Sequence, residues 1–123
     1  MAELHGMNMS GIELPEDRDV VIERHRFHYL RSGDEAAPAL VFLHGATLTA
    51  HTWDLVMMSL SNDYQCLAPD LRGHGDSEWS PGLDYSLETH ADDIDGFIDR
   101  LGLEHVVLVG HSMGGLVAML CAA

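Results

Sequence analysis

The chain has 123 residues, 46% of them hydrophobic, which suffices for one small domain with a real core and argues against disorder. Its formal charge is -14, from 20 acidic residues against six arginines and no lysine, so DNA or an anionic membrane face would be repelled. No apolar run is long enough to span a bilayer, and no basic segment followed by an apolar one opens the chain as a secretory leader would.

Residues 1–18 are polar, contain Gly6, Gly11 and Pro15, and read as a flexible arm ahead of a domain spanning 19–123. From Asp19 to Arg31, Val20 and Ile22, then Phe27 and Tyr29, recur in partial alternation, which predicts one or two half-exposed strands. A turn follows, Ser32 to Pro38. Ala39 to Leu43, "ALVFL", is a continuous apolar run, as expected of a strand covered on both faces. After the loop "HGATLTAHTW", Trp53, Val56, Met57 and Leu60 keep helical spacing. Tyr64 to Ala68 reads as a second buried strand, and "PDLRGHGDSEWSPG" as a long glycine-rich loop. Ser86 is placed to cap a helix whose apolar stripe is Leu87, Ala91, Ile94, Ile98 and Leu101, stopped by Gly102. The opposite face, Glu88, Asp92, Asp93, Asp95 and Asp99, reads as solvated. His105 to Val109 is a third buried strand, and "MGGLVAMLCAA" a helix apolar all round. This alternation predicts an α/β fold with a mostly parallel sheet and flanking helices. Three glycine-bearing loops then fall at the carboxyl ends of strands, where such sheets gather reactive groups: His44–Thr47, Asp70–Ser77 and Gly110–Gly115.

The last of these, "GHSMG" from Gly110 to Gly114, sits between a predicted strand and a predicted helix. A strand that runs directly into a helix must reverse within about two residues. Its apex is forced toward positive φ, at a cost of roughly 1–3 kcal/mol for a residue other than glycine. Side chains two positions before and after the apex would collide, so glycine stands there. What results is a raised hydroxyl with main-chain N–H groups and a helix N-terminus aimed at the same space, as acyl transfer requires.

The sequence resembles the N-terminal half of an α/β-hydrolase of the serine-nucleophile, esterase-like kind. Three motifs between Ala39 and Ala123 carry the resemblance, in matching order and spacing: "LHGATLTAHTW", "DLRGHGDS" and "GHSMGG". The resemblance implies that Ser112 is the nucleophile and that the N–H groups of Ala46 and Met113 form the oxyanion hole. Gly45, Gly110 and Gly114 would be the loop and elbow glycines. It further implies a small acyl substrate, and it sets the chain apart from the dehalogenase and epoxide-hydrolase branches, which carry aspartate where Ser112 stands. The same elbow serves lipases, lactonases, thioesterases, C–C hydrolases, acyltransferases and cofactor-free peroxidases. A non-catalytic scaffold that kept the fold, or a short interaction module, stands as the alternative from another class.

His44, Asp70, Arg72 and Asp76 read as loop braces, His111 as pocket wall or satisfied core, and Trp53, Met57 and Met58 as core or pocket lining. No two histidines or carboxylates show the spacing of a metal-binding helix, and no G-x-G-x-x-G follows a strand, so neither a metal nor a dinucleotide cofactor is expected. Cys66 and Cys121 fall in apolar segments and read as buried free thiols, which favours a reducing compartment, the cytoplasm. In the family the order is serine, acid, histidine. The nine histidines here precede Ser112 or adjoin it. The acid, the base and the cap segment are therefore expected beyond Ala123, in a chain roughly twice as long, with a second chain that supplies them as the alternative.

Overall fold

A computed structural model describes residues 14–80, 82 and 84–123. Five strands form one sheet in the order β1 (Glu16–Ile22), β2 (His25–Ser32), β4 (Gln65–Pro69), β3 (Ala39–Leu43), β5 (Val107–Gly110). The expected parallel arrangement holds for β4, β3 and β5, while β1–β2 and β2–β4 pair antiparallel. β1 begins at Glu16, inside the segment assigned to the arm; residues 1–13 lie outside the described residues. A two-residue turn, Glu23–Arg24, joins β1 to β2, with both residues at positive φ. That conformation matches the twist of a hairpin.

The alternation along β2, β3 and β4 divides their side chains between two cores. Val41 and Leu43 of β3, with Leu67 of β4 and Phe27 and Tyr29 of β2, face Ala91, Ile94 and Phe97 of α2 (Leu87–Arg100) and Val117 of α3 (Met113–Ala122). Phe42, Cys66, Ala68 and Leu30 point the other way, onto Ala50 and Met57. Met57 belongs to α1 (Asp54–Leu60), which a short 3-10 turn, Ala50–Trp53, precedes. The period of two along these strands thus builds three layers, with the sheet in the middle. Within them, Phe97 meets Tyr29 edge to face at a centroid distance of 5.2 Å.

α2 starts where the sequence predicts, with the Ser86 hydroxyl accepting from the Thr89 amide at 3.2 Å. One residue of its supposed solvated face departs from that expectation. Asp93 is only 8% exposed, because it takes a two-pronged hold on Arg72, at 2.9 and 2.8 Å. Burial raises the Asp93 carboxyl and the guanidinium opposes that. Arg72, which also reaches Ser80 Oγ at 3.3 Å, therefore ties the loop after β4 to α2. β5 also departs from expectation: Val107 is 55% exposed, and the strand pairs on one side, with β3, among the described residues. Cys66 is buried and Cys121 only half-buried, and both are free.

Replacing Asp93 by alanine leaves Arg72 desolvated without its partner and should cost about 3 kcal/mol. Asp99→Ala, on the exposed side of the same helix, should stay within about 0.5 kcal/mol. Urea denaturation of the two variants measures the difference.

Candidate active site

β3 lies between β4 and β5, so the loops that leave the carboxyl ends of these strands meet at one edge. Leu43 pairs with Gly110, and the next residue, His111, continues the ladder by donating its amide to the Leu43 carbonyl at 3.0 Å. The chain then turns. Ser112 has φ 56° and ψ -116°, a strained conformation for a side-chain-bearing residue. Its side chain is exposed and makes no capping bond to α3. Its carbonyl accepts from the amides of Gly115 and Leu116, at 2.9 and 3.2 Å, which starts the helix. The Met113 amide donates no hydrogen bond among the described residues.

A Cβ at Gly110 would press on the carbonyl of Gly114 and the amide of Gly115. One at Gly114 would overlap the carbonyls of Leu43 and His44. Both glycines are therefore required by close backbone contact. Gly115 is not: a Cβ there would come no nearer than 3.6 Å to Gly110 O.

The loop after β3 is fastened to this corner. Gly45 is buried, with the His111 ring so near that an added Cβ would sit 3.3 Å from its Nδ1. Gly45 O accepts from the Leu48 amide at 3.2 Å, closing a turn whose inner residues are Ala46 and Thr47, with Thr47 at φ 65°. Ala46 is exposed, and its amide also donates no hydrogen bond among the described residues. His111 is exposed, not core; it adjoins Ser112 in sequence and flanks the Gly45 loop.

His44 braces as expected, and does so between two loops. It is fully buried, its Nε2 accepts from the Leu71 amide at 3.0 Å, and Nδ1–H therefore donates to Gly45 O at 2.7 Å. Burial holds its pKa below the usual value, as this neutral tautomer needs. Asp70, also buried, is the centre of the second loop. Its Oδ1 accepts from the Ala50 amide at 2.7 Å, and its Oδ2 from the Asp76 amide at 3.0 Å. Oδ2 also faces His28 Nδ1 at 2.7 Å. Asp76 contributes that amide and leaves its side chain exposed.

Two histidines here went unmarked in the sequence. His28 lies on β2 between Phe27 and Tyr29, 42 residues from Asp70, with no local pattern to join them. His90 is almost fully buried on α2, and its Nδ1 has no partner. Burial first, then the neighbouring His74 and Arg72, push its pKa down to about 4. Met57 is buried, Met58 half-buried, and Trp53 packs on Phe42 at 5.1 Å. Donor atoms of His28, Asp70 and Asp76 come within 4.8 Å of one another. Those of His28 and Asp70 are already spent on each other, on Asp17 and on amides. Among the described residues no helix is long and apolar enough to cross a membrane.

The fold and this edge define a class, and comparison with known proteins names it. The family described as the alpha/beta hydrolase fold matches residues 38–123. The chain belongs to that family. Epoxide hydrolase 3 of Xenopus tropicalis is 40% identical over 94 residues, covering 76% of this chain and 26% of that protein. A bacterial membrane phospholipase A superposes with TM-score 0.85 at 30% identity, covering 88% of this chain and 35% of the other. E-2-(acetamidomethylene)succinate hydrolase superposes with TM-score 0.82 at 34% identity, covering 88% and 39%. The chain thus spans about a quarter of the length of the curated relatives it matches.

The close contacts separate the three glycines. Gly110→Ala and Gly114→Ala should lower the thermal midpoint sharply, whereas Gly115→Ala should be neutral or stabilising by up to about 1 kcal/mol, since alanine is the better helix former.

The buried histidines set an acid limit. His90 and His44 stay neutral in the fold but take protons near the ordinary 6.5 when unfolded. Stability should therefore fall as pH drops from 6.5 toward about 4. His90→Phe, which keeps the ring and removes the unpartnered nitrogen, should flatten that slope in thermal melts recorded against pH.

Proposed function

We propose that the intact protein is a serine hydrolase that cleaves a carboxylic ester or related acyl bond of a small molecule through an acyl-enzyme. One observation carries this reading. Ser112 presents an exposed hydroxyl from a positive-φ corner, beside a helix-initiating amide that has no partner among the described residues.

The chemistry follows from the groups present. Ser112 Oγ attacks the acyl carbonyl, and the amides of Met113 and Ala46 take the charge that develops on the carbonyl oxygen. A base removes the serine proton and returns it to the leaving group, after which water releases the acid. The histidines described at this edge are not assigned as that base. In support, His28, His44 and His74 are engaged in hydrogen bonds, His90 is buried, and His111 is the neighbour of the serine itself. Two free cysteines support a reducing compartment such as the cytoplasm.

The likeness to an epoxide hydrolase offers a second reading, and the chemistry of a serine at position 112 favours the first. A carboxylate that opens an epoxide leaves an ester, which water cleaves. A serine alkoxide would leave an ether, with no carbonyl for water to attack, and turnover would stop after one event.

A fluorophosphonate probe on the intact protein should label Ser112, and Ser112→Ala should abolish labelling. A folded protein that takes no label supports a non-catalytic scaffold instead. Ala46→Pro, which deletes one oxyanion donor, should lower kcat on an activated ester by about 10²–10³.

A further inference from the structure

The segment from Gly45 to Ala50, which carries the Ala46 amide, is held at both ends by two consecutive residues of the loop after β4. At its start, His44 links Gly45 O to the Leu71 amide, through contacts of 2.7 and 3.0 Å. At its end, the Ala50 amide donates to Asp70 Oδ1 at 2.7 Å. The angle of the Asp70 carboxylate therefore sets one end of the segment, and His28 faces the other oxygen of that carboxylate.

His28 is 7% exposed, with Nδ1 2.7 Å from Asp70 and Nε2 2.8 Å from Asp17. Carboxylates only accept, so a ring flanked by two of them carries both its protons. The groups that face it are Asp17 from β1, and Asp70 and Asp76 from the loop after β4. Asp19, its register partner on β1, is turned to Arg26 at 3.4 Å. Ser77 Oγ accepts the His28 amide at 3.0 Å and donates to Asp70 O at 2.6 Å, so backbone and side chains are locked together.

We propose that the Asp17–His28–Asp70 relay is a positioning device for the oxyanion loop, in which the doubly protonated His28 ring fixes the Asp70 carboxylate and, through Ala50, the placement of the Ala46 amide. The proposal rests on the roles given above to Ser112 and Ala46. Neither His28 nor Asp70 touches substrate in it. Burial opposes the charge on His28, and the bonds to Asp17 and Asp70 outweigh burial and raise its pKa. Activity then requires His28 protonated. As pH rises through that raised pKa, the ring keeps one proton for two carboxylates, and Asp70 is then held by its two amides with its ring donor shared or lost.

The test uses the intact protein, with an activated p-nitrophenyl ester as substrate and a fluorophosphonate as probe. Asp17→Asn is the main variant, because the Asp17 side chain is 74% exposed and its loss should spare the fold. It removes one of the two groups that hold the proton on His28, so the alkaline limb of kcat should move to lower pH, with KM unchanged. His28→Gln should lower kcat by about tenfold to a hundredfold, the cost of a slightly misplaced catalytic group. If the alkaline limb of Asp17→Asn coincides with that of the wild type while Ser112 is still labelled, the relay is only structural and the proposal is overturned. If Ser112 takes no label in the wild type, the hydrolase reading itself fails, and the proposal falls with it.

Discussion

The pairing of Leu43 with Gly110 governs the carboxyl edge of this molecule. It puts the ends of β3 and β5 side by side, so that the chain leaving β5 can turn over the chain leaving β3. The His111 amide extends the ladder by one bond, and Gly114 then rests on the carbonyls of Leu43 and His44. Strand end, corner and the first turn of α3 become one rigid unit. The positive φ at Ser112 is affordable because the backbone on both sides is fixed by hydrogen bonds before the strain is imposed.

Around that unit is a buried polar network that satisfies itself. Asp70 spends both oxygens on two amides and a histidine ring, and His44 spends both nitrogens on the main chain. Such networks are costly when half satisfied and rigid when complete. Arg72 and Asp93 add an ion pair that fastens the same loop to α2. Hydrogen bonds and close backbone contacts thus connect the three loops at this edge.

Much of this was legible in the chain. β3 runs over Ala39–Leu43 as its apolar run predicts, and α2 begins after Ser86 because a hydroxyl there meets an unpaired amide. The corner was legible for a similar reason: glycine at 110 and 114 answers a local steric demand. What escaped was anything set by distant partners. The β1–β2 hairpin turns on Glu23 and Arg24, neither a residue that favours positive φ, so tertiary pairing imposes the turn. Periodicity placed Asp93 on the polar face of its helix but could not see Arg72 arriving from 21 residues away. His28 looked like one more strand residue, since Asp70 reaches it only through the sheet. β5 reads as a strand covered on both sides, yet Val107 stands open to solvent.

The aromatic inventory has a practical side. Of the two tryptophans, Trp79 stands 75% exposed on the loop after β4, while Trp53 lies half-buried against Phe42 just past the Gly45–Ala50 segment. The molecule thus carries a native pair of optical reporters, one wet and one shielded, on two of its three converging loops. A collisional quencher dims the first and spares the second, so each loop can be watched by its own light.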